Sequence, residues 1–186
     1  AIIHVVRSYT SVIKAIDNPS VPGAHLSVFD AHFRKCLNTF PPACDPSSTV
    51  ALAPPFLPPL AYLLHVRLLL HRHNLAPSSS PDARFAAVEA CAHVAIETAS
   101  LIGRTNAPAE GTTALLATHL YRSTLFLLLA GSFEHAITCI RALSSMDLLR
   151  DVVMPCGRSL AFFVSVLAAK RTEHANHLSR TAGSQS

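Results

Sequence analysis

This sequence predicts an all-α fold, an irregular helical bundle of about six to seven helices with one Pro-rich connector. Three observations carry that expectation. Half of the 186 residues are hydrophobic and 14% are charged, which is ample material for a core. There is no Trp and little aromatic content, so Leu, Ala, Val and Ile must build that core, and Leu and Ala are good helix formers. Apolar residues recur at three- and four-residue spacing, and no segment alternates as a half-buried strand would.

The elements follow in order. Ile2, Val5, Val6, Val12, Ile13 and Ile16 form one stripe, predicting a first helix that Asn18-Pro19 and Pro22-Gly23 terminate. Ser27, three residues before Asp30, resembles a capping box, and Phe29, Phe33 and Leu37 recur at helical spacing, predicting a helix over Val28 to Leu37. Residues 40–59 hold seven of the thirteen prolines, a density that no long helix survives, and form the connector. Leu60 to Arg72 is apolar nearly all round and should be central to the core.

Ser80-Pro81-Asp82 is a helix start with a capping hydroxyl, a Pro at the first position and an acid in the first turn. Phe85, Val88, Ala92, Ala95 and Ile102 are expected on its inner face, with Gly103 as its stop. After a loop through Pro108 and Gly111, a helix is expected over Thr113 to Ala130, ending at Gly131. Ser132 then caps another helix, with Ile137, Ile140 and Leu143 inward, and the short break implies an antiparallel hairpin. A broken stretch around Val153-Met154-Pro155 precedes a last helix over Cys156 to Glu173. Residues 1–178 thus form one helical domain, and 179–186 read as a disordered tail. The chain opens Ala-Ile-Ile-His without an initiator Met or a secretion signal, and is expected to be an N-terminally truncated part of a larger domain.

The composition narrows the function classes. Net charge is +4, but the basic residues stand singly, apart from Lys170-Arg171, which fits a solubilising surface better than a nucleic-acid stripe. Five cysteines, none in a CxxC, give neither a disulfide framework nor a zinc module. The apolar runs are short or interrupted, as His119 and Arg122 interrupt Ala114 to Ala130, so no membrane contact is expected.

Glu89, His93 and Glu97 share one helix face and suit a metal or acid–base site, though a solvated face is the simpler account. His71-Arg72-His73 ends an apolar helix, where cations offset the helix dipole. No Ser lies in a G-x-S-x-G turn, and Cys91 and Cys139 read as small buried hydrophobes. Cys156, beside Gly157 at an expected helix start, is a site where a thiol pKa can fall, though simple packing is favoured because no orienting group can be named. No catalytic residue, metal ligand or cofactor is assigned, and the chain is expected not to be an enzyme. The Leu60–Arg72 and Thr113–Ala130 helices carry His65, Arg67, His119 and Arg122, which mark a candidate ligand or partner pocket between them. The simpler alternative is that these groups reach the surface or pair in the core.

Two stretches carry a family resemblance. One is Leu68-Leu69-Leu70-His71-Arg72-His73-Asn74-Leu75 with the helix Ala86 to Ile102 after it. The other is Thr118-His119-Leu120-Tyr121-Arg122-Ser123-Thr124-Leu125-Phe126-Leu127-Leu128-Leu129, followed by Cys139-Ile140-Arg141-Ala142-Leu143 and Pro155-Cys156-Gly157-Arg158. Together, over about Phe29 to Arg171, the chain resembles the regulatory (middle homology) domain of fungal Zn(2)-Cys(6) zinc-cluster transcription factors. The resemblance implies a nuclear helical module that restrains activity, senses a small-molecule inducer, or contacts co-regulators, its own DNA-binding region or a second copy. Zinc and DNA contact are then expected only in a six-cysteine head that this chain lacks. The competing expectation is a tetratricopeptide-like scaffold, since Gly131-Ser132-Phe133-Glu134-His135-Ala136 resembles a turn of that repeat, although no second copy follows.

Overall fold

The structure, a computed structural model, describes residues 24–105, 113–146 and 150–183, with side chains described over 31–105, 113–146, 154–170, 172 and 173. The described residues form six helices: α1 (Ala24–Leu37), α2 (Leu57–His73), α3 (Pro81–Gly103), α4 (Ala114–Leu129), α5 (Phe133–Ser144) and α6 (Arg150–Gly183). The only extended pairing among them is a single parallel bridge between Leu52 and Thr105. The all-α expectation therefore holds. The helix expected over Ile2 to Ile16 and the loop through Pro108 and Gly111 lie outside the described residues.

Helix α1 is already formed at Ala24, ahead of the expected Val28, so Ser27 lies within the helix. Its Phe33 and Cys36 pack on Leu63, Val66 and Leu70 of α2 in a small second core. In the connector, Pro42–Cys44 and Pro54–Phe56 form single 3-10 turns. Helix α2 starts at Leu57, ahead of the expected Leu60, because Pro58 and Pro59 occupy its first turn, where no amide donor is needed.

Side chains at the far end of α3 hold the connector in place. The Arg104 guanidinium donates to the carbonyls of Ala43 (3.1 Å), Val50 (2.8 Å) and Asp45 (2.7 Å). Ser100 Oγ donates to the Pro46 carbonyl at 2.9 Å, and the Leu52 amide donates to the Arg104 carbonyl at 2.9 Å. A segment with so few backbone partners of its own takes them from one arginine.

Ser80 caps α3 as its sequence predicts, its hydroxyl accepting from the Ala83 amide at 3.2 Å. The buried face of α3 is turned part of the way round from the expected one. Ala92, Ala95 and Ile102 are buried as expected, together with Ala87, Cys91, Val94, Thr98 and Leu101, whereas Phe85 is 67% exposed. Close approach to α2, α4 and α5 selects small side chains, and weighting the large apolar residues misplaced the face. Helix α3 is also the one described helix long and apolar enough to cross a membrane, yet half of its apolar window is buried by neighbouring helices, as in a core helix.

Thr113 caps α4 by accepting from the Leu116 amide at 3.1 Å. At the other end Gly131 adopts φ +72, with Ser132 N donating to the Leu127 carbonyl and Gly131 N to that of Leu128. That Schellman turn reverses the chain into α5, which packs back on α4 as the expected hairpin. Ser132 stands at the cap position of α5, but its hydroxyl meets His135 Nδ1 at 2.9 Å in place of a backbone amide. Ala136, Cys139, Ala142 and Leu143 face the core, while Ile137, expected inward, is 46% exposed for the same small-residue reason as in α3.

No break occurs at Pro155, which sits inside α6. Helix α6 runs through the stretch expected to be broken and on to Gly183, past Ser179, where the sequence expects order to end. Leu160, Phe163 and Leu167 lean on the main core, and Met154, Phe162, Val164 and Val166 stay exposed.

Candidate functional site

Helices α2 and α4 are apolar almost all round, yet each carries basic or imidazole side chains that it must place somewhere. The structure brings three of the four predicted pocket residues together. His65 and His119 are buried and meet edge to face, ring centroids 5.5 Å apart. Arg122 Nη1 lies 3.2 Å from His65 Nε2, and His119 Nε2 lies 2.9 Å from Thr98 Oγ1 on α3.

The donors fix the tautomers. A guanidinium only donates, so His65 Nε2 is the acceptor and the His65 proton resides on Nδ1. Thr98 Oγ1 gives its proton to the Val94 carbonyl at 2.9 Å, so it accepts from His119 Nε2–H. His65 is therefore neutral, burial disfavours a charged His119, and the Nδ1 atom of each ring is buried without a hydrogen-bond partner. Burial, and then the Arg122 charge, push the His65 pKa down to about 4. Burial, reinforced by His65 and Arg122, pushes His119 down to about 3. Ser123, one turn beyond His119, is buried there with its hydroxyl unpartnered.

Arg67 does not join this cluster. It reaches α3 and donates to Glu97 Oε2 at 2.5 Å, with both side chains largely buried. The stripe of Glu89, His93 and Glu97 is accordingly split. Glu97, expected on a solvated face, belongs to an interhelical ion pair, whereas Glu89 and His93 face solvent, His93 Nε2 lying 3.4 Å from Glu97 Oε1. Among the described residues no group of three His, Cys, Asp or Glu side chains is arranged to hold a metal ion.

A groove does lie between α2 and α4, beside the cluster, and of the four residues named from the sequence only Arg122 is among its lining. Between the last turns of α2 and α4, with Phe163 of α6 on one wall, lies a cavity of about 760 Å³. Arg122 lines it, together with Arg72 and His73 at the end of α2. Its apolar lining includes Leu69, Leu75, Leu125, Phe126 and Leu129. Among the described residues no acidic side chain lines it. The signal was present as basic residues ending one apolar helix and a lone Arg inside another, but only the packing of α2 on α4 makes them neighbours.

The thiols are placed for packing. Burial raises the pKa of Cys91 and Cys139 to about 12, and Cys91 Sγ points at the Leu68 carbonyl, 3.9 Å away. Cys156 lies within α6 instead of at a helix start, and burial raises its pKa, opposite to the shift expected at an N-terminus. Comparison of the chain with family models, with curated proteins and with solved structures gave no match.

Proposed function

We propose that this chain is the regulatory segment of a fungal zinc-cluster transcription factor, acting in the nucleus through an inducer, co-regulators or its own DNA-binding region. On this reading DNA and zinc are held by a head outside the chain, and the segment does no chemistry itself. One observation supports it above the others. The phrases that carry the family resemblance, Leu68 to Leu75 and Thr118 to Leu129, come from different parts of the sequence and converge on one groove, supplying Leu69, Arg72, His73, Arg122, Leu125 and Leu129. Helix ends that meet at a basic, apolar groove suit a module that responds to what occupies it.

The test places the chain between a heterologous DNA-binding domain and a strong activation domain in a reporter strain. Expression severalfold below that of a fusion with a flexible linker of equal length is expected. Equal expression from two fusions of equal abundance overturns the reading. A helical scaffold remains the second reading, favoured by the α4–α5 hairpin, on which Leu129, Phe133 and Ile137 are exposed.

A further inference from the structure

We propose that the outer face of α6 pairs two copies of this chain, helix against antiparallel helix, about a twofold axis near Val166. The inference rests on that face alone and goes beyond the regulatory reading, which it neither needs nor supports.

The apolar positions of α6 fall on two faces. Leu160, Phe163 and Leu167 recur at three- and four-residue spacing and lean on the main core. Ser159 meets the Tyr121 hydroxyl of α4 at 2.7 Å beside them, so that side of the helix is engaged. Phe162 and Val166 stand one turn apart on the other side and are 71% and 40% exposed. Arg158, Ala169 and Glu173, all exposed, continue their row, with steps of four, four, three and four residues from end to end. Side chains at that spacing share one helix face and make the seam of a two-helix contact. The phenyl and valine in the row are apolar area that a second helix can remove from water.

Charge at the two ends of the row selects that second helix. Arg158 and Glu173 are fifteen residues apart, about 22 Å along the helix axis. A second α6 laid antiparallel carries each Arg158 to the partner's Glu173, and each Phe162 to the partner's Val166 and the partner's Ala169. A parallel pair would set arginine against arginine and glutamate against glutamate. A face that complements itself when reversed is what a twofold contact requires. Glu173 also accepts from Lys170 of its own helix at 2.7 Å, and a carboxylate has room for a second donor. Exposed ion pairs are worth little, so the charges set the direction while the apolar row supplies the affinity.

The experiment is sedimentation equilibrium of the full chain across about 1 to about 100 µM, over which the mass is expected to double. Phe162→Ser changes an exposed residue and is expected to leave a monomer with unchanged helix content. Arg158→Glu is expected to weaken the dimer about fivefold or more, as is Glu173→Arg, and the two changes together to restore it. A chain that is monomeric throughout overturns the proposal, and so does a dimer that Phe162→Ser leaves intact. Single charge reversals without effect, or a double reversal without rescue, overturn the antiparallel pairing. A monomer whose thermal midpoint falls in Phe162→Ser has this face covered from within its own chain, which also sinks the proposal. So does a monomer that binds phosphatidylserine vesicles through Phe162.

Discussion

Two arginines face the same problem in different parts of this molecule and meet different partners. Arg122, on a core helix, donates to the imidazole of His65, and the neighbouring His119 and Thr98 continue the polar seam into the interior. Arg104, just past the end of α3, donates to three carbonyls of a connector that has little regular hydrogen bonding. In the core, helices satisfy their own backbones, and the stray polar side chains must find one another. At the connector the backbone is the needy party, and one fork-shaped side chain serves it. The first arrangement depends on protonation state and the second does not.

Acid should separate the two regions most strongly. His65 and His119 have folded pKa values of about 4 and about 3 against an ordinary 6.5, so the unfolded chain binds more protons below neutrality. Their contribution to stability is full above about pH 6.5 and is lost as pH falls toward the folded values. By pH 5 the expected loss is on the order of 2 kcal/mol for each imidazole, read as a falling denaturation midpoint. His119→Leu should remove about half of that slope; an unchanged slope would place the acid sensitivity elsewhere.

Arg104→Lys comes next. A lysine cannot reach three diverging carbonyls, so a loss of about 1.5 kcal/mol is expected, with faster amide exchange at Leu52 and no change in the acid profile. Unaltered exchange would show that the connector holds itself. The smallest effect belongs to Asp45, whose exposed carboxylate accepts from the Ser47 amide at 2.8 Å and the Ser47 hydroxyl at 2.6 Å. Asp45→Asn keeps an acceptor oxygen there, so a stability change within about 0.5 kcal/mol is expected from thermal melting.

The two regions also differ in what the sequence disclosed. The helices were legible wherever a cap or a stop was spelled out, as at Ser80 and Gly131. Which face each helix buries was less so, because on α3 and α5 the contact surface is made of Ala, Cys and Thr. Phe85 and Ile137 drew attention by size and proved to lie outside. His65, His119 and Arg122 were recognisable as polar residues in apolar company, and the seam they form is where such groups must meet. Arg67 obeyed the same rule with a partner, Glu97, thirty residues on. Arg104 looked like any other scattered cation, since nothing in a one-dimensional pattern says which carbonyls lack donors. Pro155 misled for the opposite reason: a residue that usually ends helices lies inside a long one.

The spacing of these contacts along the chain orders their assembly. The α4–α5 turn closes over a few residues, and most helix packing joins consecutive elements, so that framework carries a small loop-closure cost. The Arg104 contacts span 54 to 61 residues and the Arg122–His65 contact spans 57, so both draw together distant parts of the chain. On loop-closure grounds the helices are expected to gather before the two arginine contacts close. The connector is then expected to open ahead of the helices, which native-state amide exchange at Leu52 would read.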